Sequence, residues 1–137
     1  MRLDRDRART RFAEARVARL ATVTPSGAPH LVPIVFAPVG DTVYTAVDAK
    51  PKSTTALRRL ANIEANPEIA VLADFYDEDW TRLWWVRADG RARIVTGDEA
   101  RRGLTHLTAR YPVYATEPPP GPVIALDIAR WSGWAAG

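Results

Sequence analysis

The tetrapeptide Thr24-Pro25-Ser26-Gly27 constrains this chain more than any other stretch. Proline and glycine stand at favourable turn positions, and a strand-like run lies on either side, at 17–23 and 29–36. Together they specify a β-hairpin. The returning run is apolar at almost every position, with Leu31, Val32, Ile34, Val35 and Phe36. Such a strand is expected to be covered on both faces, by core on one side and by a second subunit or a flat ligand on the other. Pro33 cannot donate to a ladder, so it marks an edge or a bulge. A turn over 37–41 and a third strand over 42–47 extend the hairpin into a meander.

The stretch Asp48-Ala49-Lys50-Pro51-Lys52-Ser53-Thr54-Thr55-Ala56-Leu57 breaks that meander with a helix over 53–65. Ser53 is a plausible N-cap, and Ala56, Leu57, Leu60, Ala61 and Ile63 form an apolar face. Asn66-Pro67 ends the helix. Lys50 and Lys52 are the only lysines in a chain that otherwise uses arginine, and they sit beside the helix start. Unpaired backbone N–H groups, two ammonium groups and three hydroxyls suit a phosphate or carboxylate, with a solvated loop as the equal alternative.

Before and after this stretch the pattern is simpler. An amphipathic helix over 4–16 places Ala8, Phe12 and Ala15 on one face, as a lid on one end of a barrel. A short strand over 69–73 precedes an acidic loop over 74–79, which lacks calcium-loop spacing. A long strand pair or one bent strand covers 80–95, with a bulge or close approach at Gly90. The adjacent Trp84 and Trp85 must point to opposite faces, while Arg87, Arg91 and Arg93 share one basic face. Thr96-Gly97-Asp98-Glu99 reads as a capping box for a helix running to about Tyr111. A proline-rich loop over 114–122 and a last strand over 123–128 follow, and Trp131 and Trp134 in the tail are expected to cover a neighbour or a ligand. The sum is a mainly β chain with peripheral helices, an antiparallel closed or split β-barrel in one domain over 1–137.

Composition narrows the function. There is no cysteine, so thiol catalysis, cysteine-based zinc sites and disulfides are excluded. His30 and His106 are far apart in sequence, no nucleophile elbow is present, and neither GxGxxG nor a Walker loop occurs. The first twenty residues are too charged for a signal peptide and no apolar run is long enough to span a membrane, so a cytoplasmic protein is expected. A net charge of +3 mildly favours anionic partners. Stacking of single-stranded nucleic acid on the tryptophans is a rival reading, but scarce lysine and interspersed acids argue against it.

The segments "LATVTPSGAPHLVPI", "DAKPKSTTALRRL" and "LWWVRADGRARI" resemble the pyridoxamine 5′-phosphate oxidase-like split β-barrel superfamily, FMN-binding split-barrel type. More narrowly, the chain resembles the actinobacterial branch of oxidoreductases that use the deazaflavin coenzyme F420. The resemblance covers about 17–131. It implies a homodimer with cofactor sites at the interface, and hydride transfer between the deazaflavin and a small organic substrate. FMN is the alternative cofactor, in an oxidase, a flavin reductase or a non-catalytic flavin-binding protein. The resemblance further implies that Ala46, Val47 and Asp48 line the ring and ribityl chain. Lys50, Lys52, Ser53, Thr54 and Thr55 would hold the phosphate. Trp84, Trp85, Val86 and Arg87 would come from the partner subunit, with Trp131 as a further cover. Where relatives place an arginine and an asparagine near the phosphate, this chain has Pro51 and Ala56. Tyr44 and His30 are the candidate proton donors.

Overall fold

The computed structural model describes residues 1–48 and 54–137, and only the backbone of 54–57. Its eight strands are β1 (Arg2–Leu3), β2 (Ala18–Val23), β3 (Pro29–Ile34), β4 (Ala37–Val39), β5 (Thr42–Ala46), β6 (Glu68–Phe75), β7 (Trp84–Val95) and β8 (Val123–Ala135). The helices are α1 (Arg5–Glu14), α2 (Thr54–Ala65) and α3 (Gly97–Arg110). All strand pairs are antiparallel, in the order β3-β2-β6-β7-β8-β5-β4, with β1 pairing to β8. The two ends of this path, β3 and β4, are consecutive in the chain. Pro33 therefore lies on an edge strand, where its missing donor is harmless.

The long pair β7–β8 is the spine. Its register shifts between Asp89 and Gly90, and a Cβ on Gly90 would stand 2.0 Å from the Asp127 carbonyl oxygen. Only glycine lets the two backbones approach so closely. The expected last strand over 123–128 continues instead through the tail to Ala135. The 37–41 turn likewise contains β4, and a 3₁₀ turn at Trp80–Arg82 precedes one unbroken strand.

Two apolar clusters lie on opposite sides of β5 and β8, which is what splits the barrel. Val43, Ile124, Leu126 and Ile128 face one cluster, and Tyr44, Ala46, Val123 and Ala125 face the other. Alternate residues of one strand reach opposite faces, so a strand between two cores is apolar throughout. Helix α1 closes the first cluster with Ala8 and Phe12, both fully buried. The Phe12 ring meets Phe36 at 4.6 Å and Trp131 at 5.3 Å. Such pairs add roughly 0.5–1.5 kcal/mol each beyond area burial. Helix α3 closes the second cluster with Leu107.

The capping box at Thr96 does not form: Thr96 makes no side-chain cap bond. Glu99 binds Arg93 instead, at 2.9 and 3.0 Å, and accepts from the Tyr44 hydroxyl at 3.0 Å. A bidentate guanidinium contact is roughly twice as strong as a neutral hydrogen bond and wins the carboxylate.

Candidate functional site

The candidate site lies where β5 stops and α2 begins. Ala46 and Val47 close the strand and are buried, while Asp48 emerges exposed. A second chain segment fixes this end: Val47 N–H donates to the Pro122 carbonyl at 3.1 Å, and Gly121 N–H donates to the Val47 carbonyl at 2.9 Å. A Cβ on Gly121 would fall 2.5 Å from Val47 atoms, so glycine is required. The Tyr114 hydroxyl donates to Asp48 Oδ1 at 2.5 Å. Burial of the phenol, and then the Asp48 carboxylate beside it, push the Tyr114 pKa well above its ordinary value. The proline-rich loop is thus a brace for the strand end that leads into the lysine pair.

Helix α2 brings polar groups into the same region. Asn62 is 1 % exposed and donates from Nδ2 to Thr22 Oγ1 at 3.2 Å; Thr22 is 2 % exposed. One turn earlier, Arg59 has a buried Nε without a hydrogen-bond partner among the described residues. Burial lowers the Arg59 pKa, and the nearby Asp48 charge opposes that shift. Unpartnered buried donors are rare in folded proteins and point to a missing acceptor. An anionic group of a ligand is the acceptor whose charge matches. Arg59 was not singled out from the sequence, because one arginine among many on a helix carries no signal until its partners are known.

The remaining sequence-derived candidates divide sharply. Lys50, Lys52 and Ser53 lie outside the described residues, and Thr54 and Thr55 occupy the first turn of α2. Trp84 and Val86 point inward and are buried in their own chain, with the Arg11 guanidinium 5.5 Å from the centre of the Trp84 ring. Trp85 and Arg87 point outward, beside Trp134, Arg130 and Arg2, around a cleft of about 440 Å³. Trp131 belongs to the core: its indole N–H donates to Asp41 Oδ1 at 2.9 Å and its ring packs on Phe12. The tail tryptophans therefore differ in role, since Trp134 remains 39 % exposed.

Two electrostatic expectations change. Arg87, Arg91 and Arg93 do share the outer face, but each is paired, to Asp89 at 3.0 Å, Glu68 at 2.6 Å, and Glu99 and Asp127 at 2.9 and 2.6 Å. The face is charge-balanced rather than basic. Tyr44 turns toward α3 and its hydroxyl donates to Glu99, so it does not face the mouth of β5. Burial and then Glu99 raise its pKa. His30 sits on β3 opposite Thr22, with Nδ1 buried and without a hydrogen-bond partner among the described residues.

No helix among the described residues is long and apolar enough to cross a membrane. The fold is shared with solved structures. A FAD-binding protein from Mesorhizobium loti is 19 % identical, with a TM-score of 0.78, over 97 % of this chain and 93 % of that one. A conserved hypothetical protein from Mycobacterium tuberculosis is 21 % identical, with a TM-score of 0.77, over 98 % and 86 %. The FAD-binding protein from Mycobacterium smegmatis is 17 % identical, with a TM-score of 0.69, over 98 % of both chains. No curated protein matches in sequence. The model of the pyridoxamine 5′-phosphate oxidase family matches residues 5–135, nearly the whole chain, and the protein belongs to that family.

Proposed function

We propose that the chain is an oxidoreductase that holds a phosphate-bearing deazaflavin, coenzyme F420, with its phosphate end at the start of α2. The observation that carries this reading is the buried Arg59 Nε, without a hydrogen-bond partner among the described residues, beside the braced end of β5. It supports an anion-binding role there, in a chain whose fold is shared with FAD-binding proteins. Lys50, Lys52, Ser53, Thr54 and Thr55 belong to the segment leading into that place and would add charge and donors there. Ala46, Val47 and Asp48 would flank the ring side. When bound, the cofactor supplies the hydride chemistry, which is why the protein needs no catalytic dyad. The chain's own part is to hold the phosphate, orient the ring and exclude water.

The reading includes a homodimer. The outer face of β3, β2, β6 and β7 exposes Leu31 and Leu72 and leaves Trp85 half-buried, and Arg19 stands directly opposite both Pro33 and Leu72. Leu31 is 67 % exposed. Exposed apolar side chains set among arginines on one sheet face favour a partner, here a second copy. Trp85 and Arg87 on that face would reach the other subunit's cofactor, while Trp84, Val86 and Trp131 support them from the core. FMN is the second reading, favoured by the flavin-binding neighbours.

Separate titrations of the purified protein with coenzyme F420 and with FMN test the proposal. Saturable binding of coenzyme F420 that is tighter than that of FMN is expected. Replacing both Lys50 and Lys52 by alanine should weaken the preferred cofactor tenfold or more, about 1.4 kcal/mol. Failure of both cofactors to bind would overturn the reading.

A further inference from the structure

We propose that the cleft between Trp85 and Trp134 holds a planar aromatic anion, and that this is the class of substrate presented to the cofactor of the other subunit. The substrate role rests on the reading above, in which Trp85 and Arg87 reach that cofactor; the cleft itself is built by strand register. Arg2, Trp134 and Trp85 are direct partners across β1, β8 and β7, and Ser132 and Arg87 form the next row. Side chains at alternate positions leave a strand on one face, so Arg130 joins them from β8. About 440 Å³ lies among these groups, within the size range of small-molecule sites. Helix α2 is on the other side of the sheet. Asn62 meets Thr22, whereas Arg19, which neighbours Leu72 and through it Arg87, leaves β2 on the face opposite to Thr22.

The walls select the ligand. Direct cross-strand partners are close enough for their rings to stack. The Trp85 and Trp134 indoles nevertheless make no ring–ring contact among the described residues. Elsewhere arginines lie over aromatic rings, Arg11 over Trp84 at 5.5 Å and Arg82 over Phe75 at 5.3 Å. Neither Trp85 nor Trp134 carries such a cover among the described residues, although three guanidiniums rim the cleft. The two indoles are thus available to a flat ring. The rim sets its charge. Arg87 is held by Asp89 at 3.0 Å, but Arg2 and Arg130 have no carboxylate partner among the described residues, and no acidic side chain among them lines the cleft. A carboxylate or phosphate carried on an aromatic ring satisfies guanidiniums and indoles together. A neutral ring would forgo the first, and an aliphatic anion the second.

Calorimetric titration of the full-length protein with 2-naphthoate and with 2-naphthyl phosphate tests this, alone and in the presence of saturating coenzyme F420 or FMN. The controls are 2-naphthol, the same ring without the charge, and cyclohexanecarboxylate, the charge without the flat ring. Saturable binding of a naphthyl anion is expected, with both controls weaker by about tenfold or more. The tighter of the two anions tells carboxylate from phosphate ester. Arg2 and Arg130 are exposed, so Arg2→Met combined with Arg130→Met should leave the urea midpoint unchanged while weakening the anion about tenfold. Trp134→Leu should weaken it in the same direction. Equal affinity for 2-naphthol and 2-naphthoate, or unchanged affinity in the double arginine variant, overturns the inference. Displacement of the naphthyl anion by the cofactor shows that the cleft belongs to the cofactor and overturns the substrate role. Selective binding of the anion where neither cofactor binds keeps the anion site and removes the cofactor reading together with the substrate role.

Discussion

Replacing Arg59 by methionine should move stability and cofactor affinity in opposite directions. In the free protein the Arg59 Nε–H is buried with no acceptor among the described residues. An unsatisfied buried donor costs roughly 1–3 kcal/mol. Arg59 is only half-buried, so the lower end applies and the cost is about 1 kcal/mol. Methionine keeps the apolar stem and removes the donor, so the variant should be as stable as the parent or up to about 1 kcal/mol more stable. With a phosphate bound, the same guanidinium makes a charge-assisted hydrogen bond worth roughly 1.5–3 kcal/mol. Its loss should weaken binding by about tenfold to a hundredfold. Urea unfolding followed by tryptophan fluorescence measures the first quantity, and equilibrium titration with FMN and coenzyme F420 the second. A variant that is destabilised by more than about 1 kcal/mol while keeping its affinity within twofold would show that Arg59 is structural.

Three further outcomes follow from the same geometry. Gly90→Ala should lower stability by at least about 2 kcal/mol in urea, because the new Cβ meets the backbone of Asp127 and Ile128, which cannot move without breaking the spine. The hydrogen bonds from Arg93, then from Tyr44, hold Glu99 down to about 2 from an ordinary 4.5, so its contribution is fully present above 4.5 and disappears as pH falls toward 2; Glu99→Gln should flatten the acid limb of stability in that window. Leu72→Asp, on the outer sheet face, should leave the monomer folded and shift the sedimenting species from dimer to monomer; an unchanged dimer would place the interface elsewhere.

Local chemistry made much of the fold legible. The Thr24–Gly27 turn forms as expected: Gly27 N–H donates to the Thr24 carbonyl at 2.8 Å, and Gly27 adopts φ +89°. Pro33 marks an edge because an absent donor has one consequence wherever it occurs. The extension of β8 through Trp131 to Ala135 was not legible, because Arg130, Ser132 and Gly133 dilute the alternation. That segment is held by pairing with β7 and β1, which no local signal reports. Trp131 shows the same limit. Its composition suggests a surface cover, but its neighbours Phe12 and Asp41 lie far off in the chain and draw it into the core. The proposed site was legible only in part. The lysine pair stands out by residue type, whereas Arg59 stands out only by what it lacks.

The buried Asn62–Thr22 pair is the least expected feature of an apolar core, and its cost suggests its purpose. A neutral buried hydrogen bond contributes roughly 0.5–1.5 kcal/mol net, and an apolar pair of similar shape can match or exceed that. Stability alone therefore gives no reason to keep it. Orientation does, because a single directional bond selects one rotation of α2 over the β2–β3 hairpin, while apolar faces tolerate several. Arg59 and Asn62 share one face of α2, so that rotation also sets where the Arg59 guanidinium lies. The double variant Thr22→Val with Asn62→Leu should therefore unfold at the same urea concentration as the parent, or higher, yet bind phosphate and the preferred cofactor several-fold more weakly. Single Asn62→Leu should be worse in both respects, since it strands the Thr22 hydroxyl in the core. If the double variant keeps full affinity, the pair does not set the helix register, and α2 must be oriented by its apolar contacts through Ile63 and Leu60.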